Sequence, residues 1–231
     1  MKTNLTKFIF LLIILNSIKF YGQFQIRKIE PYKGIQIEGD YIVTLHKGEE
    51  GEILFDGNKE DIKEIECYVK RETLIIRKKK TSWFNNRKSK QVYIRIPIEQ
   101  ISNITLSGSG KIKSEIPIEA DKINTNISGS GDINLKIESN NLNGIVSGSG
   151  NLFLSGQTDK TNFALTGSGN IIASELKSNY SKSHITGSGN IDLLAYNEIN
   201  GIITGSGNIN CYGNPEKNNT KITGSGKVHL K

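Results

Sequence analysis

Ile185-Thr186-Gly187-Ser188-Gly189-Asn190-Ile191-Asp192-Leu193 alternates without a break. Ile185, Gly187, Gly189, Ile191 and Leu193 share one face, while Thr186, Ser188, Asn190 and Asp192 share the other. A period of two is the pattern of a half-buried strand and excludes a helix. Glycine weakens a strand and supplies no core side chain, so a pair of glycines on the inward face needs a reason. The reason lies in the backbone: glycine can take φ above zero for a tight inward bend, and without a Cβ it lets neighbouring chains approach.

The Gly-Ser-Gly tripeptide recurs seven times, starting at Gly108, Gly129, Gly148, Gly167, Gly187, Gly205 and Gly224, at spacings of 21, 19, 19, 20, 18 and 19 residues. A fixed period near twenty marks a solenoid, in which each repeat is one stackable unit. The inward set repeats as Val146, Gly148, Gly150, Leu152 and Leu154, and again as Ile203, Gly205, Gly207, Ile209 and Cys211. Polar stretches such as Ser139-Asn140-Asn141, Gly156-Gln157-Thr158-Asp159 and Lys177-Ser178-Asn179 add a second corner to each unit. No repeat holds ten residues at helical spacing, so a leucine-rich horseshoe is disfavoured. The reading is an all-β parallel β-helix-like solenoid over residues 99–231, with aliphatic ladders inside and glycine columns at the bend.

Residues 23–98 lack the tripeptide but remain β-rich, and they are expected to form an irregular cap continuous with the solenoid. Ile35, Ile37, Gly39, Tyr41, Val43 and Leu45 alternate as a degenerate coil, with Gly39 in the place of a first repeat glycine. Further strands are expected at 53–55, 65–69, 74–77 and 92–96. The stretch from Glu60 to Val69 is read as strand, although Ile62, Ile65 and Val69 also match helical spacing. Pro97 suits a corner or an edge position. Cys67 and Cys211 fall on inward positions far apart in the stack, well beyond the roughly 7 Å reach of a disulfide, and are expected to be buried free thiols.

Lys2 and Lys7 precede an apolar run from Phe8 to Leu15, which reads as a signal peptide over residues 1–22. The run is too short to span a bilayer, which takes about 20 residues. An exported protein that does not span the membrane is expected, in the periplasm, on the outer surface or outside the cell. Removing Lys2, Lys7 and Lys19 lowers the formal charge from +7 to +4. The remaining excess sits around Trp83 and Phe84, in Arg77, Lys78, Lys79, Lys80, Arg87, Lys88 and Lys90. Such a cluster suits an anionic partner, but here it reads as a solvated hairpin loop, and export removes nucleic acid as a partner.

The recurring Ile/Leu-Ser/Thr-Gly-Ser-Gly-Asn/Asp/Lys-Ile/Val units resemble those of the bacterial putative auto-transporter adhesin, head-GIN domain family. The resemblance extends to the β-rich stretch from Gly34 to Leu45 and to the strand running through Arg95-Ile96-Pro97 into Leu106-Ser107-Gly108. It implies a right-handed β-helix-like fold and an exported or envelope location, and it brings no catalytic residue or cofactor.

Chemistry is sparse. The outward acids beside the tripeptides, Asp132 and Asp192, lie three repeats apart, on the order of 14 Å, so they form no catalytic dyad. His46, His184 and His229 show no zinc spacing, and one carboxylate among seven positions after the second glycine cannot line a calcium roll. The distinctive outward feature is a ladder of Asn151, Asn170, Asn190 and Asn208 beside Ser149, Ser168, Ser188 and Ser206. Stacked amides can hydrogen-bond along the column and hold the bend. The same hydroxyls and amides could bind a glycan, whereas an ice-binding role needs a flatter surface. The function expected is a non-enzymatic adhesion or interaction module without cofactors, with polysaccharide or an envelope protein as partner. Self-association through the last strand, Lys227 to Leu230, is a further expectation. The alternatives are a polysaccharide-degrading enzyme on the same scaffold and a structural envelope protein.

Overall fold

A computed structural model describes residues 23–49, 51–80 and 90–231. The signal-peptide reading and the loop around Trp83 lie outside the described residues.

The repeat region forms a parallel solenoid. After β8 (Asn103–Gly108), each of β9 (Lys111–Gly129), β10 (Asp132–Gly148), β11 (Asn151–Gly167), β12 (Asn170–Gly187) and β13 (Asn190–Gly205) wraps one full coil. β14 (Asn208–Tyr212) and β15 (Lys217–Gly224) make the last full coil, and β16 (Lys227–Leu230) starts another by pairing with β14. First glycines pair with first glycines throughout, Gly108 with Gly129, Gly129 with Gly148, and so on to Gly205 with Gly224. Inside, Leu106, Ile127, Val146, Leu165, Ile185 and Ile203 stack in one column, each at most 1 % exposed. Full burial of such a side chain stabilises by roughly 1.5–3 kcal/mol. The column ends at Ile222, which pairs with Ile203 and is 45 % exposed because no coil covers it.

The unequal spacings have a local cause. In β9, Ser114, Glu115 and Ile116 stand opposite Leu135 alone, which accounts for the two extra residues of the 21-residue spacing. In β12, Ala173 and Ser174 face Leu154 alone, and β13 then lacks counterparts for residues 174–176 while adding one opposite Asn179. All these irregularities lie outside the tripeptide, whose register never shifts.

The N-terminal region continues the stack. β2 (Gly34–Gly39) and β3 (Ile42–Lys47) form the degenerate coil, with Gly39 paired to Gly108 and Ile42 to Lys111. Beyond it the pairing becomes mixed. β6 (Thr73–Lys78) lies parallel to β2 and carries β5 (Ile65–Lys70) antiparallel. β7 (Tyr93–Ile98) lies parallel to β3, and it carries β4 (Glu52–Gly57) and then β1 (Gln23–Lys28), both added antiparallel. Antiparallel strands close this end against further parallel stacking. Pro97 pairs with His46 of β3, but the pairing of β7 with β4 stops at Arg95, so the proline sits where the strand is locally an edge.

Three expectations need correction. Residues 59–63 are helix α1 (Lys59–Lys63), not strand: the Asn58 side chain accepts from Glu60 N at 2.9 Å, and Glu60 and Asp61 occupy the first turn. The strand begins only at Ile65. Cys67 is half-buried rather than buried, because among the described residues β5 has a partner strand on one side only, whereas Cys211 is buried; both are free thiols. Finally, the interior is not wholly aliphatic. Thr161 Oγ1 donates to Ser181 Oγ at 2.9 Å, and Ser181 lies 3.3 Å from Ser183, all three buried. These small residues leave room for Phe163, 1 % exposed, which packs over Gly144.

Candidate interaction surface

The tripeptide edge is built by close backbone approach. Gly129 has φ of 120°, and a Cβ there would lie 2.6 Å from Gly108 O. At Gly131 the obstacle is contact alone, Gly110 O at 2.6 Å. With no side chain in the way, Ser130 N and Gly131 N both donate to Gly108 O at 2.9 Å. The same pair of bonds recurs in the later coils, as in Ser188 N and Gly189 N on Gly167 O at 3.0 and 3.1 Å. Each bend is thereby tied to the one before it.

Directly after each bend the amide ladder forms. Asn151 Nδ2 donates to Asp132 Oδ1 at 3.0 Å, Asn170 Nδ2 to Asn151 Oδ1 at 2.9 Å, Asn190 Nδ2 to Asn170 Oδ1 at 3.3 Å, and Asn208 Nδ2 to Asn190 Oδ1 at 3.0 Å. Asp132 in turn holds Lys111 Nζ at 3.3 Å, and Lys227 N donates to Asn208 Oδ1 at 3.0 Å, so a cation and a backbone amide close the two ends. All four asparagines are half-buried. Their carbonyl oxygens are occupied along the column, which leaves each little capacity for an outside ligand.

The serines differ. Ser149, Ser168, Ser188 and Ser206 are exposed, as are Ser109, Ser130 and Ser225 in the same column. A second hydroxyl column runs beside it, Ser107, Ser128, Ser147, Thr166, Thr186, Thr204 and Thr223, paired in register over every coil. Two parallel files of hydroxyls thus follow the solenoid axis at the coil spacing of about 4.8 Å. The bend between them, at φ of 115° to 126° in the first glycines, keeps them on different facets, unlike a flat ice-binding plane.

A second amide column escapes the sequence reading. Asn124 Nδ2 donates to Asn103 Oδ1 at 2.9 Å and Asn143 Nδ2 to Asn124 Oδ1 at 2.8 Å. Its signal is a constant offset: asparagine stands five residues before the first glycine at 103, 124, 143, 162, 200 and 219, with Lys182 as the exception. At the far corner, Asn140 Nδ2 bonds Asp121 Oδ1 at 2.7 Å and Asn179 Nδ2 bonds Asp159 Oδ1 at 2.9 Å. Asp132 and Asp192 lie three coils apart, and Asp192 accepts from Asn210 Nδ2 at 2.6 Å. Among the described residues, no three His, Cys, Asp or Glu side chains gather as a metal cluster, and no helix is long and apolar enough to cross a membrane.

No curated protein matches the chain. Among solved structures it is similar to a putative adhesin from Bacteroides fragilis, 20 % identical, with a TM-score of 0.81 over 92 % of this chain and 98 % of that one. It is also similar to a putative lipid binding protein from Parabacteroides distasonis, 22 % identical, with a TM-score of 0.73 over 92 % and 98 % of the two chains. A putative adhesin from Parabacteroides merdae, 15 % identical, gives 0.65 over 92 % and 97 %. At these identities the likeness concerns the fold. The family model described as putative auto-transporter adhesin, head GIN domain, matches residues 31–215, from the degenerate coil to the last one, and the chain belongs to that family.

Proposed function

We propose that this protein is an exported, non-enzymatic adhesion module of a bacterial cell envelope, and that its Gly-Ser-Gly edge binds a glycan. The observation that carries the reading is the pair of in-register hydroxyl files, Ser109 to Ser225 and Ser107 to Thr223. Their constant spacing presents the same donors and acceptors again and again along one line, which suits a polymer of repeating sugars. Family membership supports the adhesin part of the reading. Self-association at the other end belongs to the same proposal, since the outer edge of β15 and β16 carries Ile222 and Leu230, each 45 % exposed. Light scattering that returns a monomer at high concentration removes that part.

The test of the glycan reading is a screen of immobilised envelope and host polysaccharides, with the triple variant Ser168→Ala, Ser188→Ala and Ser206→Ala as control. Retention without released product, lost in the triple variant at unchanged melting temperature, is the expected result. Released oligosaccharides would overturn the non-enzymatic assignment. Failure to retain any polysaccharide would overturn the glycan assignment.

A further inference from the structure

Where the degenerate coil hands over to the first full one, the wall of the solenoid is incomplete. β3 pairs with β9 only as far as Leu45 and Ser114, and β8 rejoins β9 only from Asn124. Between those points β9 pairs with β10 on one side from Pro117 onward, and no strand pairs with residues 115–123 on the other among the described residues. The chain segment from Ile98 to Ile101 crosses the gap without filling it. What remains is a cleft of about 570 Å³ floored by Ile98, Ile101, Ile116 and Ile118. That volume falls within the range of small-molecule sites, roughly 300–1,000 Å³.

Two features set this cleft apart from a packing defect. Ile116 reaches it only because β9 carries the three-residue bulge 114–116, and that bulge is pinned on both sides. Arg95 Nη2 holds Glu115 Oε2 at 3.3 Å, and Lys136 N donates to Ser114 Oγ at 3.1 Å. The cleft is therefore preformed. Its rim is also acidic on a chain of net charge +7: Glu49, Glu99 and Glu119 line it against the single Lys47. An apolar floor under a carboxylate rim favours a ligand that is aliphatic at one end and positively charged at the other.

We propose that this cleft binds small amphipathic cations, with the aliphatic part against Ile116 and Ile118 and the cationic head toward Glu49 and Glu119. This inference is independent of the glycan reading. Calorimetric titration of the whole protein with dodecyltrimethylammonium, below its micelle concentration, tests it against dodecyl sulfate as the anionic counterpart. Non-specific association with a positively charged protein favours the sulfate, so preference for the ammonium reports on the cleft. The expected result is saturable one-site binding of the ammonium, weakened at least tenfold by Ile116→Trp, which fills the space. The double variant Glu49→Lys with Glu119→Lys changes only exposed side chains; it should abolish the preference and carries the test should Ile116→Trp impair folding. Non-saturating binding, equal or tighter binding of dodecyl sulfate, or an affinity unmoved by both variants would overturn the proposal.

Discussion

The side-chain oxygen of Asn190 accepts two hydrogen bonds from Asn208 in the next coil, one from Nδ2 at 3.0 Å and one from the backbone N at 3.1 Å. One amide thus ties two coils together through both side chain and main chain. Asn190→Ala strands a backbone N–H and a side-chain donor at a half-buried site, so it should cost on the order of 1–3 kcal/mol. Asn190→Asp keeps the acceptor and loses only the donor to Asn170, so it should cost less. Thermal melts of the two variants rank them, and an alanine variant as stable as the parent would contradict a structural ladder.

Gly129→Ala combines a backbone at φ of 120° with a Cβ 2.6 Å from Gly108 O, and Gly131→Ala meets Gly110 O at the same distance. Both should destabilise by roughly 2 kcal/mol or more, with Gly129→Ala the worse of the two. Ser130→Ala between them, on an exposed side chain, should fall within about 0.5 kcal/mol of the parent. Denaturant titration of the three variants provides the comparison.

Phe163 is flanked in its inward column by Gly144 on one side and by Ser183, then Gly201, on the other. Truncation to alanine should cost about 3–5 kcal/mol, because the small residues around it cannot collapse into the space. Ser149→Ala in the same coil serves as the neutral control. A melting temperature that falls equally in both would be inconsistent with this packing.

Burial pushes the Tyr41 phenol up to about 12 and the Cys67 thiol up to about 11, from ordinary values of 10.0 and 9.0. For both groups the folded state keeps a proton that the unfolded chain has already released. Their contribution is therefore fully present below about pH 9 and is lost as pH rises through 11 and 12. Melting temperature should fall over that window, and Tyr41→Phe and Cys67→Ser should each flatten the fall. A slope unchanged by either substitution would rule out these two groups as its source.

The stacked half of the fold is legible in the residues because one requirement repeats. Only glycine fits where Gly129 lies over Gly108, and the flanking Ile, Leu and Val alternate at a period no helix can satisfy. Gly39 is readable as a degenerate bend for the same reason, and its pairing with Gly108 follows. The antiparallel additions at the other end are less readable, since the pairing of β1 with β4 joins segments that share no repeat. In the stretch 59–63, the Asn58 cap outweighs a spacing compatible with either state. On the surface, the ladder after the bend is visible as a run of asparagines, while the column through Asn103, Asn124 and Asn143 appears only when offsets before the bend are compared. Of the cleft beside Ile116 only the bulge shows in the sequence, as the 21-residue spacing, while the gap itself arises from where β3 stops pairing with β9.

Every departure from a nineteen-residue coil is absorbed away from the tripeptide, in bulges such as that at 114–116, while the tripeptide edge stays in register from Gly108 to Gly224. That edge acts as a datum line for evolution. Duplicating or deleting one whole unit in the gene lengthens or shortens the rod by a constant step and extends or trims the hydroxyl files without altering their pitch. Length and pitch are thus set separately, and one can change without redesigning the other.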